Sequence, residues 1–287
     1  AALKADRLHF APDPATGNRA TIGGMIGNNT CGTRSIVYGK TIDHVLEVKV
    51  ALADGTVCDF APCDAAEWDR RAAGHGVSAS EAAIYAGVKR LITTHRDAIL
   101  ERFPKVMRRV SGYNLDEFVA GAGYTGAIGP RAEFNAGRRT WNLASLIVGS
   151  EGTLATILEA KIRLTPLPTA TAVCVVHFTD LIESLRHVDG MLEFGPSTVE
   201  LLDRDVISEA RVNPATAHMT TFLTDDPEAV QIVEFFGDTP QDAENKAKAF
   251  ADAMRNAGIG FAWPVFADAK GQSNIWSTRK LGLGLNS

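Results

Sequence analysis

The sequence predicts an α+β protein in two parts, and three observations carry that reading. A strand of period two runs through an Asp54-Gly55 turn into a second strand, which makes the pair antiparallel. No G-x-G-x-x-G follows a strand, so a parallel, nicotinamide-binding Rossmann sheet does not start here. Beyond Thr165-Pro166-Leu167-Pro168-Thr169, strands and helices alternate in the rhythm of an α/β plait.

The bulk properties bound the function. With 287 residues the chain can form one large or two medium domains, each with a core. Its 45% hydrophobic and 22% charged content is that of an ordinary globular protein. A net charge of −5 and the absence of a basic run argue against a nucleic-acid partner. No apolar stretch approaches the ~20 residues that span a bilayer. The opening Ala1-Ala2-Leu3-Lys4-Ala5-Asp6-Arg7 is not followed by an apolar region, so it does not read as a signal peptide. Cys31, Cys58, Cys63 and Cys174 form no Cys-x-x-Cys pair, and the seven histidines form no His-x-His or His-Glu-x-x-His. No metal site is expected, and the thiols read as the reduced, structural cysteines of a cytoplasmic protein.

The elements follow in order. Residues 10–19 are loop, punctuated by Pro12, Pro14 and Gly17. The stretch Ala20 to Gly32 holds four glycines and two asparagines, a backbone stripped of side-chain cover that can bring its N–H groups to an anionic or flat polar ligand. It reads equally as a tight turn packed under a sheet. Within it, Cys31 reads as a small space-filling residue, the alternative being a thiol near a ligand. Leu46, Val48, Val50 and Leu52 share one face of the first long strand, and residues 56–60 form its partner. From Asp64 to Phe103 the pattern is helical, with Ala83, Val88, Leu91 and Ile92 on one side. Pro104 ends it. Residues 120–140, rich in glycine, read as a long loop or flap. Gly149-Ser150-Glu151-Gly152 then leads into a strand over 155–164.

The two prolines Pro166 and Pro168 mark the domain boundary. Beyond it, strands are expected at 172–178, 198–202, 231–236 and 260–266, with helices at 180–193 and 240–257. The second helix has the clearest signals: Thr239 to cap it, Pro240 at its first position, Gly258 at its end, and a stripe of Ala243, Ala247, Phe250, Ala251 and Met254.

Two ordered motifs together carry a resemblance. Phe10 to Pro14, Ala20 to Gly32 and Arg34-Ser35-Ile36-Val37-Tyr38-Gly39 resemble the flavin-contacting segment of FAD-dependent dehydrogenases of the vanillyl-alcohol oxidase / p-cresol methylhydroxylase (PCMH) type. Leu146 to Leu154 resembles the second FAD-contacting strip of that family, in the order the family requires. The resemblance implies FAD as cofactor, held mainly by backbone donors around Thr21, Ile22, Gly23, Gly24, Asn28, Asn29, Cys31, Gly32, Ser35, Tyr38, Gly39, Gly149, Glu151, Gly152 and Ile157. It also places the strip Arg108 to Leu115 near the flavin, although at least one of Arg108 and Arg109 reads as solvated. Asn274 to Lys280 resembles the Trp-x-x-Arg helix of the D-2-hydroxy-acid branch, so that Arg279 would hold a substrate carboxylate and Trp276 would shape the pocket. The alternative is an Arg on an amphipathic helix beside a buried Trp.

In the fold that the resemblance implies, 1–166 is the second part of a PCMH-type FAD-binding domain without its N-terminal phosphate-loop subdomain. Residues 167–287 are a partial, ferredoxin-like cap domain on the substrate side. The chain reads as the middle of a longer D-lactate or D-2-hydroxyglutarate dehydrogenase, inactive by itself, with catalytic histidines beyond Ser287. Electrons would pass to a quinone, a flavoprotein or a fused iron–sulfur module; the tail Leu281 to Leu285 resembles the larger members of the family, in which such a module is fused to the dehydrogenase. The protein would be cytoplasmic or peripheral at the inner membrane. The alternatives are an oxidase or alkyl-ether-type flavoenzyme of the same fold, and a non-catalytic binding domain.

Overall fold

The computed structural model describes residues 3, 5–17, 19–124 and 140–281. Most of the glycine-rich 120–140 stretch and the tail beyond Leu281 lie outside them. The chain forms two compact units, Ala1–Pro166 and Leu167–Ser287.

The first unit is built on a three-stranded antiparallel sheet. Its central strand β2 (Val45–Ala51) pairs with β3 (Val57–Phe60) on one side and β4 (Thr156–Ile162) on the other. The Asp54-Gly55 turn has the geometry its sequence predicts, with Gly55 at φ +84°. Val48 and Val50 are buried, and a register shift near Val45 leaves Leu46 only half-buried. A short ribbon pairs β1 (Leu8–His9) with β5 (Thr165–Pro166), tying the start of this unit to its end.

Helices α3 (Ala65–Ala72), α4 (Ala79–Thr94) and α5 (Arg96–Arg102) complete this core. Asp64 and Ser78 cap the first two through their side-chain oxygens. The buried face of α4 is Glu81, Tyr85, Val88 and Ile92, so the expected stripe was displaced: Ala83 and Leu91 are exposed. Tyr85 decides the phase because Trp68 packs edge-on against it at 4.8 Å and donates its indole N–H to the Tyr85 carbonyl.

The glycine-rich stretch is not a loop throughout. Ile22–Gly27 is a helical turn and a half, α1, and Ser35–Tyr38 is a second short helix, α2. Thr21 starts α1 by accepting the Gly24 N–H, a cap that offsets part of the cost of two consecutive glycines. A third short helix, α6 (Ala144–Ile147), precedes the second motif.

The second unit is an α/β plait with the strand order β7-β8-β6-β9, all antiparallel: β6 Ala170–Phe178, β7 Thr198–Asp203, β8 Ala229–Gly237, β9 Val265–Phe266. The last strand is shorter than expected, with one further bridge between His177 and Ala262. The helix expected at 180–193 is two, α7 (Leu181–Arg186) and α8 (Val188–Leu192), interrupted at His187. A helix that the sequence reading missed, α9 (Arg204–Val212), is capped by Asp203 and buries Ile207 and Ala210. On one face of the sheet lies α10 (Pro240–Asn256), whose buried side chains are the predicted five. The other face packs Leu202, Ile207, Ile232 and Ile275, the last from α11 (Ala269–Leu281).

Candidate functional site

In the first unit, the two glycine motifs are joined by main-chain hydrogen bonds. The Gly149 N–H donates to the Ile26 carbonyl at 2.9 Å, and the Glu151 N–H to the Gly27 carbonyl at 3.1 Å. Gly149 has φ +81°, and a Cβ there would press on Asn29 and the Val110 carbonyl, each at 3.3 Å. Three segments meet at this point: 21–43, 107–116 and 142–153.

The middle segment braces the other two. Arg108 donates from Nε to the Ser35 hydroxyl at 2.8 Å, and Lys40 donates from Nζ to the Met107 carbonyl at 3.0 Å. Asn114 donates its amide to the carbonyls of Ser145 and Val148, and Tyr113 meets the Thr153 hydroxyl at 2.9 Å. Arg109 is ion-paired with buried Asp116 and bonds to Asn114, while Arg108 is the more exposed of the two arginines. Lys40 and Asn142 are not among the residues that the sequence singles out, and Asn114 enters only as part of the strip Arg108 to Leu115. The signal for the two asparagines is the short polar side chain that caps or bridges backbone at loop ends, as when Asn142 accepts the Ala144 N–H and donates to the Leu46 carbonyl.

Each expected contact residue has a definite place. Thr21 caps α1; Ile22, Gly23 and Gly24 lie within it; Asn28 is its C-cap. Asn29, fully buried with φ +48°, accepts the Ile42 N–H through Oδ1. Gly32 is required by the chain itself, because a Cβ would lie 2.0 Å from the Asp13 carbonyl oxygen. Cys31 is a half-buried free thiol. Ser35 is buried under Arg108; Tyr38 accepts from buried His44 at 2.7 Å; Gly39 and Gly152 have φ +72° and +77°. Glu151 is itself left-handed at φ +51°, and Ile157 lies on β4, half-buried.

Two features of this region call for a ligand. The Asn29 amide nitrogen is buried, with no hydrogen-bond partner among the described residues. Gly23 sits in a helix with open space where its Cβ would be, so no neighbour in the described chain requires a glycine there. In a helix interior that choice costs about 1 kcal/mol relative to alanine. A bare backbone face and a buried, unpaired donor in the same short stretch suit close approach of a large polar group.

In the second unit, Arg279 lies on α11. Its Nε and Nη2 both donate to Oε2 of Glu200 on β7, at 3.0 and 2.7 Å, with both side chains largely buried. Trp276 packs partly buried at the edge of the apolar cluster on the same sheet face. Burial raises the Cys58 and Cys63 thiols to about 11 and Cys174 to about 12, so these three are protonated at neutral pH. Among the described residues, no three His, Cys, Asp or Glu side chains gather to hold a metal ion, and no helix is long and apolar enough to cross a membrane.

Residues 1–61 match the FAD binding domain family, and residues 167–286 match the C-terminal domain of FAD linked oxidases. FAD is the cofactor these domains indicate, and the open backbone around Gly23 with the Asn29 amide fits it. Two curated relatives are named D-2-hydroxyglutarate dehydrogenase. The Escherichia coli K12 protein is 32% identical over 99% of this chain, and the Pseudomonas putida KT2440 protein 29% identical over 99%. The chain spans 27% of the length of each relative. A solved alkyldihydroxyacetonephosphate synthase shares the fold, with a TM-score of 0.51 over 97% of this chain and 38% of that one, at 13% identity.

Proposed function

We propose that this chain is the flavin-holding and substrate-gripping part of a dehydrogenase that oxidises a D-2-hydroxy acid, D-2-hydroxyglutarate or a close analogue such as D-lactate. The observation that carries the reading is the hydrogen-bonded junction of the two glycine motifs, Gly149 to Ile26 and Glu151 to Gly27, on a chain aligned over 99% of its length with proteins named for this activity. Bound at that junction, FAD supplies the acceptor for the hydride from the substrate α-carbon. The residues of the chain bind and orient. Backbone around residues 21–39 and 149–157 holds the cofactor, and the Asn29 amide donates to it. The 107–116 strip keeps the two motifs in register through Arg108, Tyr113 and Asn114. Arg279 grips the substrate carboxylate with its forked donors, with Trp276 beside it.

In this reading the electron acceptor is a quinone, a flavoprotein or an iron–sulfur domain, and the protein works in the cytoplasm or at the inner membrane surface. The test is anaerobic. Adding D-2-hydroxyglutarate to the full-length protein that carries this chain should bleach its flavin absorption, and the L enantiomer should not. Bleaching by neither enantiomer, nor by D-lactate, rules out the reading.

A further inference from the structure

The Arg279–Glu200 pair extends the proposed function to a residue on a different strand. Among the described residues, the guanidinium of Arg279 is held by one edge only. Nε and Nη2 both reach the same carboxylate oxygen, Oε2 of Glu200, at 3.0 and 2.7 Å. Nη1 makes no hydrogen bond among the described residues, so three N–H donors remain, two of them side by side on the Nη1–Nη2 edge. That edge can take a second carboxylate in two parallel bonds.

Glu200 is placed for this task by the sheet. It stands on β7, opposite Ile232 of β8, and alternation puts its side chain on the face that carries Leu202. Leu202 and Ile275 belong to one buried cluster, so α11 is seated on that same face and Arg279 comes within reach of the carboxylate. The pair is largely buried, at 21% and 11% side-chain exposure, which protects it from the screening that makes surface ion pairs weak. A long, flexible arginine is thereby fixed in one rotamer before substrate arrives, and less entropy is lost when the second carboxylate binds.

We infer that Glu200 is a positioning residue: it clamps the Nε edge of Arg279 and aims the remaining edge at the carboxylate beside the hydroxyl carbon of the substrate. The inference rests on the reading of Arg279 as the carboxylate grip. It makes Glu200 a determinant of how strongly the protein distinguishes an acid from its uncharged amide.

The test uses the full-length protein that carries this chain, with D-2-hydroxyglutarate and its analogue in which the carboxylate next to the hydroxyl carbon is a carboxamide. The readout is the ratio of kcat/KM for acid over amide. Loss of a fold-supporting contact lowers both values together and leaves the ratio alone. Arg279→Lys should collapse the ratio. Glu200→Ala should lower it about tenfold, mostly through the KM of the acid. Glu200→Asp keeps the charge but withdraws the oxygen by one methylene, and should also lower the ratio. Glu200→Gln presents an acceptor at the same reach and should recover most of the loss seen with alanine. If the Arg279 variant collapses the ratio while both the alanine and aspartate variants at 200 keep it within about twofold of the parent, Glu200 does not position Arg279. If the Arg279 variant itself keeps the ratio, the carboxylate reading falls and the inference with it.

Discussion

Gly32 and Gly23 belong to one glycine-rich stretch, yet the structure gives them different reasons. At Gly32 the chain itself comes close: the Asp13 carbonyl occupies the place of a side chain. At Gly23 nothing does, and the vacancy faces outward from a helix that would be more stable with alanine. Another buried residue sets a pH dependence. His177 is fully buried in β6, its Nδ1 facing the Val175 and Ala262 carbonyls and its Nε2 accepting the Thr224 N–H at 3.0 Å. Nε2 must therefore carry no proton. Burial is the main cause that lowers its pKa from the ordinary 6.5. The unfolded chain then binds more protons than the folded one once pH falls below about 6.5, so stability is full above that value and declines below it, until the depressed folded pKa is passed. His44 and His9, lowered chiefly by burial too, act in the same direction. Urea midpoints measured between about pH 7.5 and 5 should fall with acidification, and His177→Gln should flatten the fall even if it lowers the midpoint throughout. An equal slope in the variant would clear His177 of the effect.

At the level of elements, α10 shows what a sequence can specify locally. Thr239 accepts the Asp242 N–H at 3.1 Å, Pro240 needs no donor at the first position, and the stripe from Ala243 to Met254 is buried on the sheet. Thr239→Ala should cost about 1 kcal/mol, read as a shift in the denaturant midpoint at constant slope; no shift would mean that water satisfies the helix end equally well. The strands of the plait were legible for the same local reason, since β6 and β8 are apolar runs bounded by turn residues. What was not legible came from tertiary choice. Two glycines in succession argue against helix, and α1 forms because Thr21 caps it and Met25 and Ile26 are buried. The phase of α4 was set by the Trp68–Tyr85 contact across seventeen residues, which no periodicity within α4 can reveal. At the candidate site, the two glycine motifs could be read from their composition and order. Their junction could not, because it is made by main-chain groups of Ile26, Gly27, Gly149 and Glu151 that carry no residue-specific signal. The partner of Arg279 was hidden likewise: Glu200 lies 79 residues away, on a strand whose sequence gives no sign of an ion pair.

For the molecule as a whole, the two units have separate cores, and the proposed function assigns the flavin to the first and Arg279 to the second. The central claim is that residues 21–39 and 149–157 are shaped for FAD and not merely for one another. The direct measurement is FAD content and affinity in the full-length protein, set beside its Gly23→Leu variant. Leucine is a strong helix former, and its Cβ meets nothing in the described chain, so the cofactor-free melting temperature should not fall. The parent should carry a visible flavin band, and its melting temperature should rise with added FAD as mass action requires, while the variant should bind at least about tenfold more weakly. A parent that shows neither band nor shift, or a variant that binds FAD as tightly as the parent, would contradict the account.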